Sequence, residues 1–569
     1  MENKNLKDIS VCSLLVIAGA FLFAFSNPNP ILKQGFAFTA WIMYVPYFFL
    51  IKKSSLKTCW LYSGIYGLLV VSLYAYWLYN YNPVCLVTGL AVGFIGMAFF
   101  GCGLKIIEKY FIKYAWLVQF LAVCAFEYLR TLGFLGFHYG LAAYTQWNMP
   151  LIVQSVDVAG VFGLNIFVIF CSAVIYAILS KIQDKKVILN KMITDNRHYE
   201  GATYVNYVSE NDRLLENTSL TLPVVLLSIW ACIFIVIITY GAVSIKKNDS
   251  YETVTVAAIQ HNDVSEETGM ENYTNAVLQL INLTDEALEI NPEIDFVIWP
   301  ETAVVPSILY NYNQKENTDR KKLVAYLLNY INMQNPVFVI GNQHIAVNAD
   351  GSSKKLYNSS LVFEPQKNTI PPEPELYSKM RLVPVSEYFP FEKALPHIYK
   401  SLLSHEKFFW NQGEELKVFN TNGLSFYTPI CFEDTFPKLC RQAYKKGARC
   451  FLSLTNDSWS KSESCQYEHL AMAKFRAVEN RVPVVVSAVS GQTAVIDSKG
   501  NITAMAVPFS KSYVIAQVQV VPQAQKSTIY NKIGDIFGYG TVFLLLAVLL
   551  IRVFVGIIKH INLWQSAQK

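Results

Sequence analysis

Apolar runs long enough to cross a lipid bilayer constrain this chain more than any other feature. Hydrophobic residues make up 53% of its 569 residues and charged residues 16%, with a mean hydropathy of +0.29. That composition is too apolar for an ordinary soluble domain, and a spanning helix needs about 17–25 apolar residues. We interpret the following runs as eight spans, with seven or nine as the alternatives because the first, second and fifth runs are short: 11–25, 35–51, 59–79, 84–104, 116–129, 158–179, 222–243 and 537–557. The sequence therefore predicts a polytopic α-helical membrane domain.

Basic residues in the loops predict the orientation of these spans, because lysine and arginine favour the cytoplasmic side. They concentrate before the first span and after the second, fourth and sixth: Lys4, Lys7, Lys52, Lys53, Lys57, Lys105, Lys109, Lys113, Lys181, Lys185, Lys186, Lys191 and Arg197. The alternate loops contain far fewer. We predict a cytoplasmic N-terminus, a transmembrane domain over 1–245, an extracytoplasmic catalytic domain over 246–530, and a last span with a cytoplasmic tail over 531–569. A cleaved signal peptide is the alternative for the first run, but no small-residue cleavage site follows it.

The segment 246–530 alternates short β-rich runs with helical patterns. The predicted strands are 253–260, 296–299, 337–340, 359–363, 424–430, 449–454, 484–488 and 513–520. The predicted helices are 272–290, 319–333 and 467–480. This alternation predicts a mixed or layered α/β core, and a sandwich of two sheets fits it.

Cys431 lies in the string TPICFED (428–434), at the end of an apolar, β-rich run. A cysteine that follows a buried strand and precedes two acids is more typical of a nucleophile than of packing. Upstream, WPET (299–302) supplies Glu301 and YSKMRLVP (377–384) supplies Lys379. A thiol needs a base to take its proton, and Glu301 can serve if apolar surroundings raise its pKa. Lys379 and the backbone N–H of Phe432 would stabilise an oxyanion.

These strings carry a family resemblance. WPE, then KxxLVPxxE, then CFE resembles the carbon–nitrogen hydrolase (nitrilase) superfamily, whose members use a Glu-Lys-Cys triad on an α-β-β-α sandwich. With the membrane flanks and the stretch 133–147, the whole chain resembles the apolipoprotein N-acyltransferases within it. The resemblance implies Glu301 as proton acceptor, Lys379 as oxyanion stabiliser and Cys431 as nucleophile, supported by Glu387, Phe432 and Glu433.

The resemblance also implies the reaction. An acyl chain would pass from a phospholipid to Cys431 as a thioester, and then to the N-terminal S-diacylglyceryl cysteine of an apolipoprotein in a bacterial inner membrane. It implies no soluble cofactor and no nucleic-acid partner. Two alternatives stay open: a membrane-tethered amidase or nitrilase with water as the acceptor, and a non-enzymatic scaffold or transporter.

Cys440, Cys450 and Cys465 share the outer segment with Cys431, so two disulfides are possible in an oxidising compartment, Cys440 with Cys465 among them. No CxxC or His-rich spacing suggests a metal site.

Several charged and aromatic residues outside the triad have structural interpretations. Glu127 and Arg130 have the i, i+3 spacing of a helical ion pair near the end of the fifth span. The aromatic segment 134–147 is either a re-entrant loop beside the catalytic site or a structural belt at the membrane interface. We expect the charged residues of 468–480, His469 among them, to make helix contacts rather than to do chemistry.

Overall fold

The computed structural model describes residues 2–81, 83–133, 136–195, 214–247, 251–263, 269–347, 354–384, 386–389, 392–394, 396–397, 400 and 409–567. Within these residues, five helices are long and apolar enough to cross a membrane: α1 (Glu2–Ser26), α5 (Pro83–Tyr110), α8 (Val156–Asp195), α9 (Thr221–Lys246) and α16 (Ile536–Ala567). Two shorter apolar helices accompany them, α3 (Cys59–Tyr74) and α6 (Ala115–Leu129). These seven correspond to all the predicted spans except the second, and the protein is a membrane protein. The number of spans stays a prediction.

The predicted second span, 35–51, is wrong as one continuous helix. The structure has a 3-10 turn at Ala37–Trp41 and then a separate nine-residue helix, α2 (Val45–Lys53). Pro46 lies in the first turn of α2. Proline has no N–H to give to a preceding turn and clashes with its carbonyl, so a helix begins rather than continues there. Length and apolarity alone do not reveal that break.

The remaining elements of this half are short. They are α4 (Leu78–Tyr81), α7 (Pro150–Val153) and a 3-10 turn at Ala142–Gln146. The long helix α8 is kinked where Gly160 has a φ of 63°, a conformation that glycine adopts without steric cost. A Cβ at that position would lie 2.6 Å from the ring of Tyr530, so glycine also permits the close approach of the chain beyond the last strand.

Residues 253–519 form two six-stranded sheets. In sheet order, the first contains β12 (Ser512–Gln519), β1 (Thr253–Gln260), β2 (Phe296–Val304), β3 (Val337–Val347), β4 (Lys354–Phe363) and β5 (Glu375–Ser378). The second contains β11 (Ile502–Met505), β10 (Ala494–Ile496), β9 (Val484–Ala488), β8 (Cys450–Thr455), β7 (Leu424–Tyr427) and β6 (Phe419–Thr421). Neighbours β1, β2 and β3 are parallel, as are β7, β8 and β9. The carboxyl ends of each parallel set therefore lie at one edge of its sheet.

The side chains of β1 and β2 show how the layers form. Val256, Ala258, Phe296 and Ile298 belong to the core between the two sheets, whereas Ala257, Ile259, Val297 and Trp299 pack against helices α10 (Met270–Ile290) and α12 (Asp319–Asn332). Successive residues of a strand point to opposite faces, so a strand covered on both faces is a continuous apolar run. The predicted α-β-β-α sandwich is confirmed.

The outer face of the second sheet carries α13 (Pro437–Lys445) and α14 (Glu463–Asn480). Two further short helices are α11 (Ile308–Tyr312) and α15 (Ile529–Ile533), and 3-10 turns lie at Cys431–Thr435 and Ser458–Ser460. Helix α14 is buried along almost its whole length, although many of its residues are polar. It lies between the sheet and the membrane helices, and several of its polar side chains find partners there.

Those partners agree with the expectation of structural contacts in 468–480. Tyr74 donates a hydrogen bond of 2.8 Å to Glu468, and the N–H of Val161 donates one of 3.0 Å to Glu479. Arg476 pairs with Glu479 at 2.9 Å, and both side chains are fully buried. Buried polar groups need such partners to offset their lost hydration. Helix α14 therefore fixes how the sandwich sits on the membrane helices.

Candidate active site

Glu301, Lys379 and Glu387 form a buried ionic cluster. Lys379 Nζ lies 3.1 Å from Glu301 Oε1 and 2.7 Å from Glu387 Oε1, and the lysine side chain has no exposed surface. Burial alone lowers the pKa of Lys379, but the charges of the Glu301 and Glu387 carboxylates raise it well above its ordinary value. The lysine is therefore an ammonium. Folding has brought together a carboxylate and an ammonium that are 78 residues apart in the chain.

Glu301 lies in an irregular part of β2. The pairing of β2 with β3 shifts register between Trp299 and Val304, and Thr302 has a φ of 47°. A Cβ on Gly341 of β3 would lie 2.1 Å from the carbonyl oxygen of Pro300. Only glycine permits that approach, so β3 accommodates the bulge that redirects the Glu301 carboxylate. Asn358 Nδ2 then donates to Glu301 Oε1 at 2.7 Å.

Lys379 directly follows the short edge strand β5. Its N–H donates to the carbonyl of Asn358 on β4 at 2.8 Å, and the N–H of Gly413 donates to its own carbonyl at 2.8 Å. Glu387 is held in turn by the N–H of Val383, at 2.7 Å from its Oε2. Burial raises the pKa of Glu387, and Lys379 opposes that shift. The loop after Lys379 therefore closes on itself and positions the second carboxylate.

Cys431 begins a 3-10 turn beyond β7 and has a φ of 51°. A non-glycine residue in this left-handed region costs about 1–3 kcal/mol and persists only where its surroundings fix it. The residue is 9% exposed. Burial raises the pKa of the Cys431 thiol well above its ordinary value, the charge of Glu301 raises it further, and Lys379 lowers it in part. A raised pKa favours the neutral thiol, and a neutral thiol needs a base before it can attack.

Glu433 joins the two segments that carry Lys379 and Cys431. Its Oε1 accepts hydrogen bonds from Tyr377 Oη at 2.7 Å and from the N–H of Met380 at 2.6 Å. Its Oε2 accepts from the N–H of Ile430 at 2.9 Å. The side chain is fully buried, and burial raises its pKa. Glu433 therefore holds the backbone next to Lys379, at Met380, and the backbone next to Cys431, at Ile430.

The predicted supporting residue Phe432 is buried, and its ring packs edge-on against Phe436 at 5.0 Å between centroids. Its N–H belongs to the peptide group directly after the Cys431 α-carbon. The structure therefore places all six predicted site residues, Glu301, Lys379, Glu387, Cys431, Phe432 and Glu433, in one buried region. Their catalytic roles stay predictions.

Sequence reasoning missed several groups around the site. Asn358 and the Tyr377–Tyr427 pair, whose hydroxyls are 3.0 Å apart, were not predicted. His469 was expected to make helix contacts alone, yet its Nε2 lies 3.2 Å from the carbonyl oxygen of Cys431. Asp434 and Asp457 flank its imidazole. The available signal in the sequence was that Asp434 and Asp457 each come shortly after a predicted strand, and that Asp434 lies three residues after the proposed nucleophile.

Three other predictions can be compared with the structure. All eleven cysteines are described and free, so the possible disulfide between Cys440 and Cys465 does not form here. Glu127 and Arg130 do pair, with Nη2 2.7 Å from Oε2, and Arg130 also donates to two carbonyls of the following loop.

The described part of the aromatic segment 134–147, which omits residues 134 and 135, lies against the catalytic half. The His138 ring packs on Phe436, with centroids 4.6 Å apart, and the Tyr144 ring packs on Phe475 at 4.9 Å. The first of the two interpretations, a loop beside the catalytic site, fits these contacts better than a belt facing lipid.

An α-β-β-α sandwich that holds Glu301, Lys379 and Cys431 in one region, joined to apolar helices, defines a membrane enzyme of the carbon–nitrogen hydrolase class. The family model described as carbon-nitrogen hydrolase matches residues 255–525, and that of the apolipoprotein N-acyltransferase N-terminal domain matches 18–174. Apolipoprotein N-acyltransferase 1 of Treponema denticola is 37% identical over 92% of this chain and 93% of its own length. Apolipoprotein N-acyltransferase 1 of Treponema pallidum is 35% identical over 94% and 95%. The chain belongs to the apolipoprotein N-acyltransferase family.

Proposed function

We propose that this enzyme transfers an acyl chain from a phospholipid to the α-amino group of an apolipoprotein's N-terminal S-diacylglyceryl cysteine. Glu301 takes the proton of Cys431 as the sulfur attacks the ester carbonyl. The carbon–oxygen bond then breaks, and the lysophospholipid leaves with that proton. The acceptor amine next attacks the thioester and gives up a proton to Glu301, the carbon–sulfur bond breaks, and the sulfur takes that proton, so that Cys431 is a thiol again. The observation that carries this proposal is the ionic cluster of Glu301, Lys379 and Glu387 in the same buried region as Cys431.

Lys379 has a different role from Glu301. Each half-reaction passes through a tetrahedral intermediate with negative charge on oxygen, and a fixed ammonium stabilises that charge. Because Lys379 is held between two carboxylates, it keeps its charge and position in both steps. The N–H of Phe432 is the second donor in this proposal.

The acceptor distinguishes acyl transfer from hydrolysis. A membrane-tethered amidase would use the same three residues with water as the acceptor, whereas the family's relatives support N-acylation. In a mixture of enzyme, phospholipid and a diacylglyceryl lipopeptide, we expect the lost acyl chain to appear as an amide on the peptide. Mass spectrometry of both products decides. Free fatty acid with unmodified peptide would contradict the proposal.

The location of the site is also part of the proposal. We assign 1–245 to the transmembrane domain, 246–530 to a catalytic domain outside the cytoplasm, and 531–569 to the last span and tail, in a bacterial inner membrane. An impermeant thiol reagent applied from outside should label a cysteine introduced at Glu252 and not one introduced at Lys185. Reversed labelling would put the catalytic domain in the cytoplasm and contradict the assignment.

A further inference from the structure

His469 lies between two carboxylates and touches the nucleophile's own backbone. Its Nδ1 is 3.0 Å from both carboxylate oxygens of Asp457, and its Nε2 is 2.8 Å from Asp434 Oδ1 and 3.2 Å from the carbonyl oxygen of Cys431. The side chain is 4% exposed. Helix α14 supplies the imidazole, the 3-10 turn after Cys431 supplies Asp434, and the segment after β8 supplies Asp457.

The partners of the ring determine its protonation. A carbonyl oxygen and a carboxylate accept hydrogen bonds, so a ring nitrogen that faces them must carry a hydrogen. Both nitrogens of His469 face such acceptors, so the ring is an imidazolium. Although burial lowers the pKa of His469, the charges of Asp434 and Asp457 raise it well above its ordinary value. Ser453 Oγ donates a hydrogen bond of 2.8 Å to the other carboxylate oxygen of Asp434, Oδ2.

The carbonyl that His469 contacts shares a peptide group with the N–H of Phe432. A trans peptide is planar, and its C=O and N–H point in opposite directions. Fixing the carbonyl of Cys431 therefore fixes the direction of the Phe432 N–H. The contact also restrains Cys431 in its left-handed conformation, with φ of 51°, which unsupported backbone rarely keeps.

We propose that His469 is a positioning residue: by holding the carbonyl of Cys431, it aims the N–H of Phe432 at the oxyanion. This inference rests on the proposed function, because the oxyanion arises only in acyl transfer through Cys431. His469 does not touch the reacting atoms in this account. It acts through the peptide group between Cys431 and Phe432.

Two neutral variants of similar size test the inference. The amide nitrogen of His469→Gln reaches about where Nε2 lies and can still donate to Cys431, whereas that of His469→Asn reaches only the position of Nδ1, next to Asp457. The measurement is the first-order rate constant for acyl-adduct formation with excess phospholipid alone, followed by rapid quenching and intact mass. This rate constant does not depend on the fraction of enzyme that is folded, so a loss of stability does not mimic the effect.

We expect His469→Asn to form the adduct at least about tenfold more slowly than His469→Gln, at an unchanged half-saturating phospholipid concentration, since loss of one oxyanion donor costs about 10²–10³ in rate. Glu479→Gln is the control, because Glu479 is buried on the same helix and pairs with Arg476. It should lower the melting temperature and leave the rate constant unchanged.

Equal rate constants for the two His469 variants would overturn the inference. If His469→Asn does not accumulate, His469→Ala takes its place in the comparison with His469→Gln, and a fall of about 100-fold or more in His469→Gln itself contradicts the inference. Wild-type enzyme that turns over without any adduct would instead contradict the proposed thioester route, which separates the two failures.

Discussion

Two buried cations, each between two carboxylates, lie near Cys431, and they act on different atoms. Lys379 lies between Glu301 and Glu387, and its charge lowers the pKa of the thiol. His469 lies between Asp434 and Asp457, and it contacts the Cys431 carbonyl. The charges in the two clusters are alike, so their chemistry depends on the atom that each cation faces. Lys379 lowers the pKa of the reacting sulfur, whereas His469 contacts the backbone that carries it.

Cys431→Ala should remove the atom on which the lysine cluster acts and abolish transfer. Cys431→Ser should be nearly inactive as well, because a hydroxyl is a poorer nucleophile than a thiol with the same base. Both residues are small, so each variant should remain folded and inserted in the membrane, as thermal unfolding in detergent can show. Cys440→Ala is the matched control: Cys440 is fully buried in the same domain and should be dispensable for activity. Full activity of either Cys431 variant would refute the nucleophile assignment.

Lys379→Met should keep the length of the side chain and remove its charge. We expect both half-reactions to slow by about 10²–10³, as for the loss of one preorganised oxyanion donor. Rapid-quench measurement of adduct formation and of adduct decay with the amine acceptor checks both steps. Lys474→Met is the control, since Lys474 is also buried at 8% exposure but lies over the Trp147 ring. If both rate constants fell equally in the two lysine variants, Lys379 would only stabilise the fold.

One carboxylate from each cluster gives the sharpest comparison. Glu387→Gln and Asp457→Asn each replace a carboxylate beside the cation with an amide of the same shape. Glu387→Gln should lower kcat by about 10- to 100-fold, because a hydrogen bond to a charged group is worth about 1.5–3 kcal/mol and Lys379 acts in the transition state. Asp457→Asn should lower stability by a similar free energy and kcat by less than about threefold, because Asp457 contacts the ring nitrogen far from Cys431 and its charge raises the pKa of the thiol rather than lowering it.

The steady-state kcat and the free energy of unfolding of these two variants are the quantities to compare. A fall in kcat for Asp457→Asn as large as that for Glu387→Gln would erase the distinction between the clusters.

Most of the strands were predictable because they are buried on both faces and read as apolar runs. The bounds of β1 and β9 agree with the prediction residue for residue, and β2 and β3 extend further than predicted. The strands β5, β6, β10 and β11 were missed, since runs of three or four residues carry too little pattern. The failure to predict β5 matters most, because that strand positions Lys379.

The site was predictable to the extent that motifs mark it. The WPE, KxxLVP and CFE strings located the carboxylate, the ammonium and the thiol, but they say nothing about hydrogen bonds across the sandwich. The contact of His469 with Cys431 joins residues 38 positions apart and depends on how α14 packs beneath the turn. Similarly, Pro46 is a local reason for the break in the second apolar run, and a prediction from hydropathy alone does not include it.

The most direct test of the whole account is the mass of the enzyme after incubation with phospholipid alone. If Cys431 accepts an acyl group before the amine arrives, the protein should gain the mass of one acyl chain, and hydroxylamine should remove it because thioesters react with amines. Kinetics with both substrates should then be ping-pong. Turnover without any adduct, together with sequential kinetics, would mean that the amine attacks the phospholipid ester directly and that Cys431 has no covalent role.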